Sequence, residues 1–176
     1  MGRYSIQGKI IRPLSSEEWL EAMENGRFVK DTHRGYVALL YYTAVRRGEA
    51  LRTKKEQLVI RGDRLYYSIG KRLKRGKETA EIFMPLDRPY VDDIVYCWEK
   101  ADPGERIWPF CAKTAYNIVT RVLPAYPHYF RLSRITNLLK DGWTIADLKS
   151  WTGLSLQALD YYVGLVNVEK MGESLR

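Results

Sequence analysis

The sequence predicts a mainly α-helical domain with one small three-stranded antiparallel β-sheet, an α+β fold. Three observations carry this. Apolar residues follow the helical period over most of the 176 positions. In "QLVIRGDRLYYSIG" and "TAEIFMPL" the period drops to two, with a Gly62-Asp63 turn inside the first stretch. Helix caps and breakers bound the remaining segments.

The elements follow in order. "IIRPLSSEEWLEAMENG" reads as a linker and then a helix, with Ser15 and Glu18 as a capping box and Asn25-Gly26 as the stop. Residues 1–14 are expected as a linker or N-terminal extension, and 15–176 as one domain with its tail. A second helix is expected over 31–43, with Val37, Leu40 and Tyr41 on one face, and a further helical turn over Arg46 to Leu51. Two strands flank Gly62-Asp63, and a third is closed by Pro85. "YVDDIVYCWEKA" is a helix ended by Asp102-Pro103-Gly104, and "KTAYNIVTRVL" one ended by Pro124. A long helix follows Pro127 and runs to about Lys140. "TIADLKSWT" is a short helix capped by Thr144, and "SLQALDYYV" another capped by Ser155. The tail "NVEKMGESLR" extends this by one further turn or two.

Charge narrows the class of partner. The net charge is +8, the pI about 9.4, and hydrophobic residues make up 45%. Arg46 to Lys77 holds twelve Lys or Arg against three acids (Glu49, Glu56 and Asp63), so this segment alone carries +9. A basic segment of strand-and-turn character fits phosphate contact better than it fits a membrane-surface helix. A solvated basic hairpin is the plainer reading of the same run. No apolar stretch approaches transmembrane length, and "MGRYSIQGKI" lacks the apolar segment of a signal peptide. Cytoplasmic residence is the expectation, with Cys97 and Cys111 reduced and buried. Neither cysteine has the neighbours of a zinc site, so no metal is expected.

Four features call for a joint explanation: Arg46 and Glu49 in "TAVRRGEAL", Lys71 in "YSIGK", His128 and Arg131 one turn apart in "HYFRLSRITNLLKDGW", and Tyr161-Tyr162 in "LDYYVGL". Read singly, each has a plain alternative. Arg46–Glu49 is a helix-surface ion pair worth a few tenths of a kcal/mol. His128 and Arg131 are a solvated helix start, and the tyrosines are core aromatics.

Read together, they resemble the catalytic domain of the tyrosine recombinases, the phage-type integrases. "YYTAVRRGEAL" is similar to the family's T-G-x-R-x-x-E box, and "SIGKRLKRGKETAEIFMPL" to its lysine-bearing β-hairpin. "HYFRLSRITNLLKDG" is similar to the H-x-x-R-H-x-x-A-x-x-L-x-x-x-G box, and "SWTGLSLQALDYYV" to the region before the nucleophilic tyrosine. The tail "DYYVGLVNVEKM" is closest to archaeal and archaeal-virus integrases, hence to mobile elements. The four boxes stand in family order and span roughly Ser15 to Arg176.

The resemblance implies a site-specific DNA recombinase working through a 3′-phosphotyrosyl intermediate, with no metal and no cofactor. Arg46 and Arg131 would clamp the phosphate, since a guanidinium meets phosphate with two bonds and stays charged. Tyr162 would attack, with Tyr161 one residue away as the alternative. Lys71 would protonate the leaving 5′-oxygen, with Lys74 and Lys77 as alternatives. His128 would bind the phosphate or manage the tyrosine proton, and Glu49 would orient Arg46. Arg47, Arg72, Lys74, Arg75, Lys77 and Arg134 are expected to contact DNA. The implied partners are double-stranded DNA and further copies of the chain, a tetramer on DNA, with a monomer possible in isolation.

The pattern departs from the family at Ala44 (glycine there), at Leu132 (histidine) and at Leu154, where the family has a histidine or tryptophan; Trp151 is a possible substitute. The family's N-terminal core-binding domain is expected to be absent. Two other functions remain open: a non-catalytic DNA-binding protein on the same fold, and a type IB topoisomerase-like nicking-closing activity.

Overall fold

The first helix starts where its side chains dictate. In the computed structural model, Ser15 Oγ accepts from the Glu18 N–H at 3.2 Å, and a Glu18 carboxylate oxygen accepts from the Ser15 N–H at 2.9 Å. Two otherwise orphaned donors are thereby satisfied. The structure describes residues 5–6, 9–10, 12–69, 81–122 and 127–174, with side chains for 12–69, 81–122 and 127–167.

A short hairpin of β1 (Ser5–Ile6) and β2 (Lys9–Ile10) lies inside the stretch expected as linker. Then come α1 (Ser16–Glu24), α2 (Asp31–Thr43), α3 (Arg47–Ala50) and a 3₁₀ turn at Lys55–Gln57. The sheet follows: β3 (Leu58–Arg61), β4 (Arg64–Tyr67) and β5 (Ile82–Pro85). Five helices close the described chain: α4 (Val91–Lys100), α5 (Ala112–Val122), α6 (His128–Lys140), α7 (Ile145–Thr152) and α8 (Leu156–Ser174). The fold is mainly helical with one three-stranded antiparallel sheet, as the sequence predicts.

The sheet order is β3-β4-β5, all antiparallel. Arg61 pairs with Arg64 across the turn, where Gly62 holds φ +60, a conformation glycine adopts without strain. Leu58, Leu65, Tyr67, Ile82 and Met84 point to the core, while Val59, Tyr66 and Phe83 lie on the other face.

Helix α2 is more central than its sequence indicates. One apolar face is expected, yet Gly35 through Thr43 are all buried. It is packed against α4, α6 and the sheet. Gly35 permits the α4 contact, because a Cβ there would meet the Asp93 carbonyl oxygen at 2.7 Å and Cys97 Sγ at 2.9 Å. Trp19 of α1 stacks on Tyr41 with centroids 4.1 Å apart.

Two cores result. The larger joins α1, α2, the sheet, α4 and α5. The smaller holds Ala44, Tyr129, Leu132, Ile135, Leu138, Leu148, Leu159 and Tyr162, and so joins α6, α7 and α8. Helix α6 belongs to both, through Phe130 in the first and Leu132 in the second.

Helix α8 is one 19-residue element, which carries the helix on through the tail to Ser174. Gly164 weakens it by about 1 kcal/mol, but Leu159, Tyr162 and Val166 bury one stripe around that point and outweigh it. Cys97 is buried as expected, but Cys111 is exposed, because it precedes α5 at the surface.

Candidate active site

Helix α2 ends at Ala44, which takes the left-handed conformation with φ 51 and ψ 25. That is where glycine is ordinarily found, and it turns the chain sharply towards α3. Arg46 follows as the α3 N-cap. Glu49 holds it twice: one carboxylate oxygen accepts from the Arg46 backbone N–H at 2.8 Å, the other from its guanidinium at 3.1 Å. The Glu49 side chain is only 11% exposed, whereas that of Arg46 is 45% exposed. The carboxylate therefore anchors a guanidinium that stays at the surface.

His128 opens α6 and shares a cleft of about 240 Å³ with Val45, Arg46, Arg47, Tyr116 and Pro127. Burial lowers the His128 pKa below its ordinary 6.5, and the positive charges of Arg131 and Arg46 lower it further. The imidazole is therefore neutral at pH 7 and able to accept a proton. Arg46 and Arg47, both exposed, make the cleft mouth electropositive.

Arg131 lies one turn along α6 and is 1% exposed. Its guanidinium donates to the carbonyl oxygen of Ala44 and, at 3.4 Å, to that of Thr152. These carbonyls end α2 and α7, so the cation sits against the negative ends of two helix dipoles. Trp151 supports the same junction, donating from Nε1 to the Thr43 carbonyl at 3.2 Å. Leu154, at the departing family position, is half-buried against the smaller core, and its N–H donates to Thr152 Oγ1 at 3.2 Å.

Tyr162 is 6% exposed and packs in the smaller core beside Ala44 and Tyr129. Tyr161 is half-buried, its ring edge-on to Tyr162 with centroids 5.6 Å apart. Neither ring lines the 240 Å³ cleft.

Of the sequence-expected residues, Arg46, Arg47 and His128 thus share one cleft, with Glu49 and Arg131 directly behind it. Lys71, Arg72, Lys74, Arg75 and Lys77 lie outside the described residues. Arg134 points elsewhere: its guanidinium carbon lies 5.7 Å and 5.8 Å from the ring centres of Tyr41 and Tyr42, and burial lowers its pKa. Sequence reasoning missed Tyr116. It is an exposed aromatic on α5, whose inward positions are Ala115, Ile118 and Val119. A tyrosine on the polar side of an amphipathic helix was the available signal. Among the described residues, no cluster of three His, Cys, Asp or Glu could hold a metal ion, and no helix is long and apolar enough to cross a membrane.

No family model matches this sequence, and no curated protein matches it. Solved structures do. The fold is that of tyrosine recombinase catalytic domains, and the neighbours are recombinases and integrases at low sequence identity. XerH site-specific recombinase in its pre-cleavage complex with difH substrate aligns with TM-score 0.68 at 17% identity, over 87% of this chain and 50% of that one. XerA recombinase aligns with TM-score 0.69 at 16% identity, over 94% and 64%. A lambda integrase dimer bound to a COC' core site aligns with TM-score 0.60 at 16% identity, over 86% and 47%. The chain spans about half the length of XerH.

Proposed function

We propose that this chain cleaves and rejoins double-stranded DNA as a site-specific recombinase of the integrase type, through a covalent 3′-phosphotyrosyl intermediate. One observation carries the reading. Arg46 and His128 converge on a single electropositive cleft, with Arg131 one turn behind, although 82 positions separate Arg46 from His128. The structural neighbours support it, since they include recombinases in complex with DNA.

The chemistry follows from the phosphate. Tyr162 Oη attacks phosphorus, the bond to the 5′-oxygen breaks, and the 5′-hydroxyl leaves. Arg46 and Arg131 stabilise the charge that develops on the non-bridging oxygens. Neutral His128 accepts the tyrosine proton or hydrogen-bonds the phosphate. Lys71, or Lys74 or Lys77 of the same segment, gives a proton to the leaving oxygen. The ester retains the bond's free energy, so attack by a 5′-hydroxyl reverses the step without a cofactor. Tyr161 is the alternative nucleophile. The assembly would be a homo-oligomer on DNA, a tetramer for strand exchange, with the α8 tail as one contact between copies. An origin in an archaeal mobile element fits the tail sequence.

A second reading, a non-catalytic DNA-binding protein, draws on the burial of Arg131 and Tyr162. Covalent trapping separates the two. The protein is incubated with source-genome fragments bearing 5′-bridging phosphorothiolates, whose thiol leaving group religates poorly. An SDS-resistant adduct lost in Tyr162→Phe is the expected result. Loss only in Tyr161→Phe moves the nucleophile by one residue. Salt-dependent DNA binding without an adduct favours the second reading.

A further inference from the structure

Away from the cleft, a second cavity of about 390 Å³ opens between α1, α2, β5, α6 and α7. Its volume falls within the range of small-molecule sites. Six aromatic side chains wall it: Trp19, Tyr41, Tyr42, Phe83, Trp143 and Trp151. Arg134 lines it as well. Arg134 Nε is sealed from solvent and has no hydrogen-bond partner. No carboxylate forms a salt bridge with its guanidinium among the described residues. Its guanidinium lies beside the rings of Tyr41 and Tyr42, and a hydrogen bond with the Tyr41 side chain and the nearby Asp141 charge favour its charged form without outweighing burial. Cation–π contact offsets part of the desolvation cost of a guanidinium, but a hydrogen-bonded anion offsets far more.

The remaining charged groups lining the cavity are Arg88 and Asp141, both exposed. Two arginines and one carboxylate leave a single positive charge, which a monoanion neutralises and a phosphate dianion overshoots. The aromatic walls suit a planar apolar body.

We propose that this cavity binds a planar aromatic monocarboxylate, its carboxylate on the Arg134 guanidinium and its ring among the tryptophans and tyrosines. The proposal does not depend on the recombinase reading, because no cleft residue lines the cavity.

The test uses the full chain and two probes, indole-3-acetate and its neutral isostere indole-3-acetamide. Three of the five tryptophans (Trp19, Trp143 and Trp151) line the cavity, while Trp98 and Trp108 do not. Indole N–H NMR signals therefore report the place of binding as well as its affinity. Indole-3-acetate should shift the three lining signals and leave the other two unmoved, with at least about tenfold tighter binding than the amide. Arg134→Met should reduce that preference to less than about twofold, and Arg88→Gln should retain most of it in a chain whose own Arg134 surroundings are intact. Equal affinity for acid and amide would overturn the proposal. So would no binding at millimolar acid, shifts at Trp98 or Trp108 instead, or tighter binding of the dianion benzylphosphonate.

Discussion

The guanidinium of Arg131 donates to the carbonyl oxygen of Ala44, joining the helix that carries His128 to the end of α2, two residues before Arg46. The same group also reaches the Thr152 carbonyl. Arg131 thus holds two helix C-termini together from inside the protein. Arg131→Met should cost about 3 kcal/mol of stability, because charge-assisted bonds are lost and the carbonyls are left buried. Arg131→Lys should recover roughly half, since an ammonium cannot serve two divergent carbonyls equally. Urea unfolding measures both. If Arg131 also clamps a phosphate, adduct formation by the lysine variant falls further than its folded fraction explains.

The pH dependence of stability has a definite sign at His128. Its folded pKa lies below the ordinary value of 6.5, first through burial and then through Arg131 and Arg46. The unfolded chain therefore takes up the proton first as the pH falls. This contribution is full above about pH 6.5 and is lost as the pH drops below it. His33 shifts in the same direction, through burial and the charges of Arg121 and Lys30. Replacing either histidine with glutamine should flatten the fall in Tm between pH 7 and pH 5, and the double variant should flatten it most. Unchanged acid sensitivity in the double variant would refute the assignment.

The two cysteines should react very differently. Cys111 is exposed, and its thiol is pulled down to about 7 by the Thr114 hydroxyl and then by the Thr114 and Lys113 N–H groups. Burial pushes Cys97 up to about 11. Iodoacetamide at pH 7.5 should label Cys111 alone, as peptide mass mapping would reveal. Thr114→Val should move the half-maximal labelling pH upwards. Equal labelling of Cys97 in the folded protein contradicts the structure.

The segment before α1 is latched to α6 by three side chains at four-residue spacing. Tyr129 Oη donates to the Arg12 carbonyl at 2.5 Å, Ser133 Oγ accepts from the Leu14 N–H at 2.9 Å, and Asn137 Nδ2 donates to the Leu14 carbonyl at 2.9 Å. Asn137→Ala should cost about 1–2 kcal/mol. It should also speed amide hydrogen exchange at Leu14 before it affects the core. Exchange that speeds uniformly instead would mean the latch has no local role.

Gly35→Ala sets two effects against each other. Alanine favours the helix by about 1 kcal/mol. Against this, its Cβ meets the α4 backbone, and overpacking typically costs 1–3 kcal/mol. The backbone contact should win, with a net loss of about 1 kcal/mol by urea unfolding. A stabilised variant would mean that α4 yields more easily than its packing implies.

Helix starts, the sheet and the order of elements were legible in the chain because they rest on local chemistry. Ser15 with Glu18 and Thr144 with Asp147 cap their own helices, and Thr144 Oγ1 accepts from the Asp147 N–H at 3.1 Å. The turn at Gly62 and the period-two strands around it need no distant partner. The grouping of Arg46 and His128 in one cleft, with Arg131 behind it, was legible only through resemblance, because no local rule brings positions so far apart in sequence together. What tertiary packing alone decided is how each polar group is used. It buried α2 on all sides, turned Arg131 onto two helix-end carbonyls, sent Arg134 among tyrosines and left Cys111 in water. The reason is physical: caps and periods are set by neighbours a few residues away, whereas burial and charge pairing depend on which distant surfaces meet.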